Sequence, residues 1–363
     1  MSVKKLYSLG IKSNEDSIFG LSVIQERQAR TGNCEQVGMR MSRVVEPTHD
    51  INEADIIWFR PKSEIISSLN FDKWSTILEE NKDKVILNHI KDYKNYDSKD
   101  RSYAIWKKNG LCTPECRVAV DFDTVLDMLK KHQKICLRTN NEATGNYMTI
   151  MDRRIMKEGY IRATFNLLAQ ISNHAIAGSL QSVQRKPGAT ETYKATRGKR
   201  EDTKVIAVEY LKTPKGMKYL YRMFVVGDTI VGGYGLASAR DNIHVRDVRI
   251  KDVEQIMKSN IRLAELMEDE VFCEQVKRAV SSLGVEIGAV EFYEIDGKPH
   301  FVEINTNWAT ATAYDDVEGY GDARLNAYLK ENRETYKDIA WPVYRHNDLT
   351  MYFEFYKAFE QWT

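Results

Sequence analysis

Short apolar runs alternate with longer amphipathic stretches along the first hundred residues. Residues 54–59 (ADIIWF) and 85–88 (VILN) are apolar runs of strand length with polar flanks. That is the pattern of strands buried on both faces of a parallel sheet. Residues 4–9 read as another strand, and 19–30 and 65–80 as helices. The alternation predicts an α/β domain with crossover helices.

Beyond residue 100 the rhythm changes. Residues 100–109 predict a helix closed by Gly110. Thr113-Pro114 opens a new segment with a helix over 121–132, a strand over 134–138, a polar loop TNNEATGN and a long helix over 155–180. Residues 184–202 are basic, contain Pro and Gly, and read as an exposed loop or as a lid over phosphates or an anionic substrate. Three strands follow over 205–211, 217–226 and 229–236, with Gly227-Asp228 as the last turn. Residues 252–283 predict helix broken once and ended by Gly284. The stretch beyond 325 is helical and Tyr-rich, interrupted at Pro342. Its apolar spacing suits packing on its own domain or, in a homodimer, on a second subunit.

The stretch GAVEFYEIDGKPHFVEIN, 288–305, carries the chemistry. It predicts two strands and a turn, with Glu291, Glu303 and Asn305 as hard oxygen ligands. Such a set suits Mg²⁺, which binds one or two carboxylates together with nucleotide phosphates. Glu303 and Asn305 share a face because side chains alternate along a strand. A two-residue Asp296-Gly297 turn pairs Glu291 with Val302 and puts the two glutamates on opposite faces. A shared metal therefore requires a three-residue turn or a bulge; the bland alternative is a surface hairpin with two solvated glutamates.

Composition narrows the field. The 363 residues carry 53 basic and 52 acidic side chains, a formal net charge of +1, with 42% hydrophobic content. The balance argues for packed cores and against a dedicated nucleic-acid binder. No apolar run reaches the length of a membrane span and the N-terminus lacks an apolar signal core. Five scattered cysteines fit reduced thiols and a cytoplasmic location. Cys112 and Cys116 lack the second pair a zinc site needs, and the seven histidines show no paired-ligand spacing. Neither a P-loop nor a Gly-x-Ser-x-Gly elbow is present.

Five separated segments, taken in order, resemble the ATP-grasp superfamily, in particular the glutathione synthetase-like and ribosomal-protein glutamate ligase-like carboxylate–amine ligases. They are residues 86–116, ICLRTNNEATGNYM, VIAVEYL, YRMFVVGDTIVGGYGLASAR and the acidic hairpin ending in Glu-x-Asn. The likeness covers roughly residues 54–310. It implies an N-terminal Rossmann-like α/β domain over 1–98 and a two-subdomain α+β grasp. The grasp subdomains would span 99–204, with an elaboration over 155–202, and 205–325; a helical tail would follow over 326–363.

The resemblance also implies roles. Glu291, Glu303 and Asn305 would hold two Mg²⁺ ions on ATP, and the Thr144-Gly145-Asn146 backbone would cap its outer phosphates. Glu209, Tyr210 and Leu211 would form the hinge at the adenine or ribose. Arg222 and Arg240 would neutralise the transferred phosphate, since a guanidinium fork stays charged and makes paired hydrogen bonds to phosphate oxygens. A structural salt bridge is the other reading of Arg222, and a surface position that of Arg240. Arg101, or Lys99 in a shifted register, and Arg138 stand where many members carry lysines. The activity implied is ATP-dependent joining of a small-molecule or peptide carboxylate to an amine through an acylphosphate, giving ADP and phosphate. A kinase acting on a hydroxyl, or a non-catalytic nucleotide-binding protein, are the alternatives.

Overall fold

In the computed structural model the described residues are 4–10, 39–45, 51, 53–60, 68–141, 147–173, 203–212, 218–239, 248–306, 323–332 and 357–362. Strands β1 (Lys4–Gly10), β2 (Met39–Val45), β3 (Ile56–Arg60) and β4 (Val85–Leu87) form a parallel sheet in the order β2-β1-β3-β4. The apolar run of β3 serves two cores. Ile56 and Trp58 enter one, and Ile57 and Phe59 the other, as a period of two requires. Helix α1 (Ser68–Glu80) lies between β3 and β4, and its Trp74 meets Phe59 edge-on at 5.8 Å. The helix expected over 19–30 falls outside the described residues.

A short helix α2 (Tyr93–Asp97) leads into α3 (Lys99–Lys108), which Gly110 ends with φ 71°. Next comes an antiparallel sheet in the order β5-β8-β6-β7, from β5 (Cys116–Val118), β6 (Lys134–Thr139), β7 (Met148–Asp152) and β8 (Val205–Glu209). Helices α4 (Phe122–His132) and α5 (Glu158–Asn173) cover one face through Val125, Met128, Leu129, Ile161, Phe165 and Leu168. The opposite face, with Ile206 and Val208, joins the core shared with the rest of the molecule. The pattern over 155–180 overstates the N-terminal reach of its helix. The Asp152 carboxylate accepts the Arg154 N–H at 2.9 Å and closes a turn, so helix begins only at Glu158.

The third sheet is antiparallel, in the order β10-β9-β11-β12: β9 (Lys218–Val226), β10 (Thr229–Ser238), β11 (Ile287–Ile295) and β12 (Lys298–Asn305). Helices α6 (Val253–Glu268) and α7 (Glu270–Ser281) supply Ile256, Leu263, Phe272, Val276 and Val280 to the cores beside it. Asn88, fully buried with φ 57°, links this sheet to the parallel one. Its Nδ2 donates to the Ile287 carbonyl and its Oδ1 accepts the N–H groups of Glu286 and Ile287. After α8 (Ala323–Glu331), a 3₁₀ turn over Ala358–Trp362 buries Phe359 in the same core as Leu325 and Phe224. The described parts of the tail therefore pack on their own chain. No helix among the described residues is long and apolar enough to cross a membrane.

Candidate active site

The hairpin has the two-residue turn that its Asp296-Gly297 pair favours, with Ile295 opposite Lys298. A bulge between Glu291 and Phe292 in the pairing then shifts the register by one. Phe292 faces Phe301 while Glu291 faces Glu303, leaving Val302 as the extra residue. The bulge thus turns both glutamates to one face without lengthening the turn. Asn305 stands opposite Ala289, two residues further along.

The neighbouring strand completes a row. Arg222 of β9 is opposite Glu291, and Tyr234 of β10 is opposite Arg222. The Arg222 guanidinium pairs with the Glu291 carboxylate and lies 5.3 Å from the Tyr234 ring centre. Its Nε is buried and has no hydrogen-bond partner among the described residues. Beyond Glu303, the Lys99 ammonium at the start of α3 lies 3.5 Å from the carboxylate. The row therefore reads cation, carboxylate, carboxylate, cation across three strands and a helix start. Two carboxylates directly opposite one another repel, and the flanking cations offset that. Burial alone would raise the Glu303 carboxyl; Lys99, helped by Arg138 and Arg222, outweighs it and holds the group below its ordinary value. Burial also lowers Lys99 from its ordinary value, against the opposing pull of Glu303.

Lys99 is placed by a network between α3 and the second sheet. Its N–H donates to the Asn140 carbonyl at 3.0 Å. Asn140, fully buried, donates through Nδ2 to Ser98 Oγ at 2.7 Å and to Asp100 Oδ1 at 3.0 Å, and accepts the Lys204 N–H at 2.9 Å. Arg138, two residues before Asn140 on β6, is buried and adds its charge at Glu303. Tyr103 of α3 donates to the Val302 carbonyl at 2.8 Å, tying the helix to the bulge.

The remaining sequence candidates divide three ways. Arg101 is exposed on α3, so the shifted register is the one that brings a cation to Glu303. Glu209, Tyr210 and Leu211 lie at the end of β8, away from the row. Thr144, Gly145, Asn146 and Arg240 lie outside the described residues. At Glu209 the carboxylate accepts the Glu115 N–H at 3.0 Å, and His132 Nδ1 stands 3.4 Å away. The same ring touches Glu115 through Nε2 at 2.9 Å. Sequence reasoning did not find Glu115 or His132, because no spacing links a residue before β5, the last residue of α4 and the end of β8.

The donor set fits Mg²⁺ held jointly with phosphates. Glu291, Glu303 and Asn305 offer hard oxygens on adjacent strands. No cluster of three or more His, Cys, Asp or Glu among the described residues forms an all-protein cage. Flanking cations and the orphaned Arg222 Nε are suited to anionic oxygens.

The chain is similar in structure to ATP-grasp ligases. With the ATP-grasp ligase PsnB in complex with a minimal precursor it shares 13% identity and a TM-score of 0.49, covering 84% of this chain and 91% of that one. D-cycloserine synthetase DcsG gives 11% identity and a TM-score of 0.49, over 90% and 99% of the two chains. D-alanine–D-alanine ligase from Bacillus anthracis complexed with ATP gives 10% identity and a TM-score of 0.47, over 99% of each. No family model matches the chain, and no curated protein matches it.

Proposed function

We propose that this protein is an ATP-dependent carboxylate–amine ligase of the ATP-grasp type. The observation that carries the reading is the row Arg222–Glu291–Glu303–Lys99, brought onto one face by the bulge in β12. Each carboxylate of the row is paired with a protein cation. Glu291, Glu303 and Asn305 would hold the magnesium of MgATP, and Lys99, Arg138 and Arg222 would supply cations for its phosphate oxygens. Bound Mg²⁺ supplies charge neutralisation on the phosphates. The protein supplies position and fixed charge, which are the larger part of phosphoryl-transfer catalysis. Arg222 stabilises the transferred phosphoryl group. A substrate carboxylate attacks the γ-phosphorus to give an acylphosphate and ADP, and an amine then displaces phosphate.

The hinge segment Glu209–Leu211 receives the base. Arg138 pairs with Ile206 and Ile135 with Glu209, so the position opposite Arg138 and the hinge end of β8, three residues apart, are separated by about 10 Å at strand rise. A nucleotide lying along β8 therefore reaches from the hinge to the charged row. Trapping with hydroxylamine tests the chemistry. Incubated with MgATP and pooled carboxylates, the enzyme is expected to release ADP and form a hydroxamate, and Arg222→Ala is expected to lose at least 100-fold in rate, on the order of one missing transition-state donor. A phosphorylated hydroxyl product without hydroxamate would replace the ligase reading with a kinase.

A further inference from the structure

The three-residue contact Glu115–His132–Glu209 is not used by the phosphate end of the site. His132 is the last residue of α4, and its side chain is 13% exposed. Each ring nitrogen faces a carboxylate: Nε2 meets Glu115 at 2.9 Å and Nδ1 meets Glu209 at 3.4 Å. The Nε2 contact is a hydrogen bond to Glu115, and Nδ1 stands beside the Glu209 carboxylate at ion-pair range. Glu115 is itself held by Lys131 and by Arg117 at 2.8 Å, which makes it a fixed anchor. Those contacts, Lys131 first, hold its carboxyl down at about 2.

The next residues reinforce the arrangement. Gln133 turns with φ 63° into β6, whose first residue Lys134 lays its ammonium 4.1 Å from the centre of the Tyr210 ring. Lys218, at the start of β9 in the third sheet, approaches the same ring at 5.8 Å. The segment Glu209–Tyr210 is thus gripped from the end of α4, from β6 and from β9, on the path between the two antiparallel sheets. Alternation along β8 puts Glu209 on the side of Val205 and Ala207, toward the helices, while Ile206 and Val208 face the shared core. Its carboxylate therefore serves to fix the strand end.

We propose that His132 is a positioning residue for the base end of the nucleotide cleft: by holding Glu209 against Glu115 it sets the hinge on which a purine base docks. The inference rests on the nucleotide-binding reading above and deepens it. Two probes separate the ends of the cleft: the non-hydrolysable analogue AMPPNP, which carries base and phosphates, and inorganic tripolyphosphate, which carries phosphates alone. Both are titrated with Mg²⁺ into the full chain. His132→Ala is expected to weaken AMPPNP about tenfold, the scale of one hydrogen bond to a charged group. Tripolyphosphate binding is expected to stay within about twofold. His132→Gln keeps the reach toward Glu115 and loses that toward Glu209, so it shares the selective loss and serves if the alanine variant does not fold. Unchanged AMPPNP affinity, or equal loss for both probes, overturns the inference. If the wild type binds neither probe, the nucleotide reading falls and takes this inference with it.

Discussion

Lys99 shows how much one cation does at the site. Only 9% of its side chain is exposed, and its ion-pair partner Glu303 is 23% exposed. Removing one partner of such a pair leaves a carboxylate poorly compensated, a change worth about 1–3 kcal/mol. Lys99→Met is expected to lower the stability of the ligand-free protein by that order in urea unfolding at neutral pH. The sign of the pH effect follows from Glu303, whose carboxyl lies below its ordinary value when folded. Its contribution is present above the ordinary carboxylate range and is lost as pH falls through the folded value. The gap between wild type and Lys99→Met should therefore narrow on acidification. A gap that is constant with pH would show that Lys99 does not act through Glu303. The choice between Arg101 and Lys99 was open in the sequence because both stand near the start of one helix; the hydrogen bond from Lys99 N–H to the Asn140 carbonyl, which draws that helix start against β6, is invisible there.

At the scale of elements, the acidic hairpin was legible as a hairpin but not as a site. Asp296-Gly297 gives the turn, and that turn alone separates the glutamates; the bulge at Val302 brings them together. Bulges carry no reliable sequence mark, and this one is supported by Tyr103 from a distant helix. Strands β2 and β7 were missed because MRMSRVV and MTIMD show neither continuous apolar character nor regular alternation. Strands β3, β9 and β10 were plain, since their apolar runs feed cores on both faces. The seam between the parallel sheet and β11 depends on Asn88, whose amide serves two backbone N–H groups and one carbonyl. Asn88→Ala strands those groups and places a residue without a polar side chain at φ 57°. A loss of about 2–4 kcal/mol is expected from unsatisfied buried groups and backbone strain together. Urea unfolding checks it; a loss under about 0.5 kcal/mol, the scale of an ordinary surface change, would show that the seam is held elsewhere.

For the whole molecule, the order of elements from the parallel sheet to the acidic hairpin was readable because each carries its own periodicity. The convergence of Arg222, Lys99, Arg138 and two glutamates was not, because it depends on register across three strands and on a helix start 192 residues before Glu291. The proposed function requires that convergence to be a site for magnesium-bound phosphates. Calorimetric titration of AMPPNP into the wild type and Glu303→Ala, each with and without Mg²⁺, tests it most directly. Binding is expected to require Mg²⁺ and to be weakened at least 100-fold by Glu303→Ala, the cost of removing a charged ligand from a paired site. Binding that ignores both the metal and the substitution, or no binding at all, would contradict it.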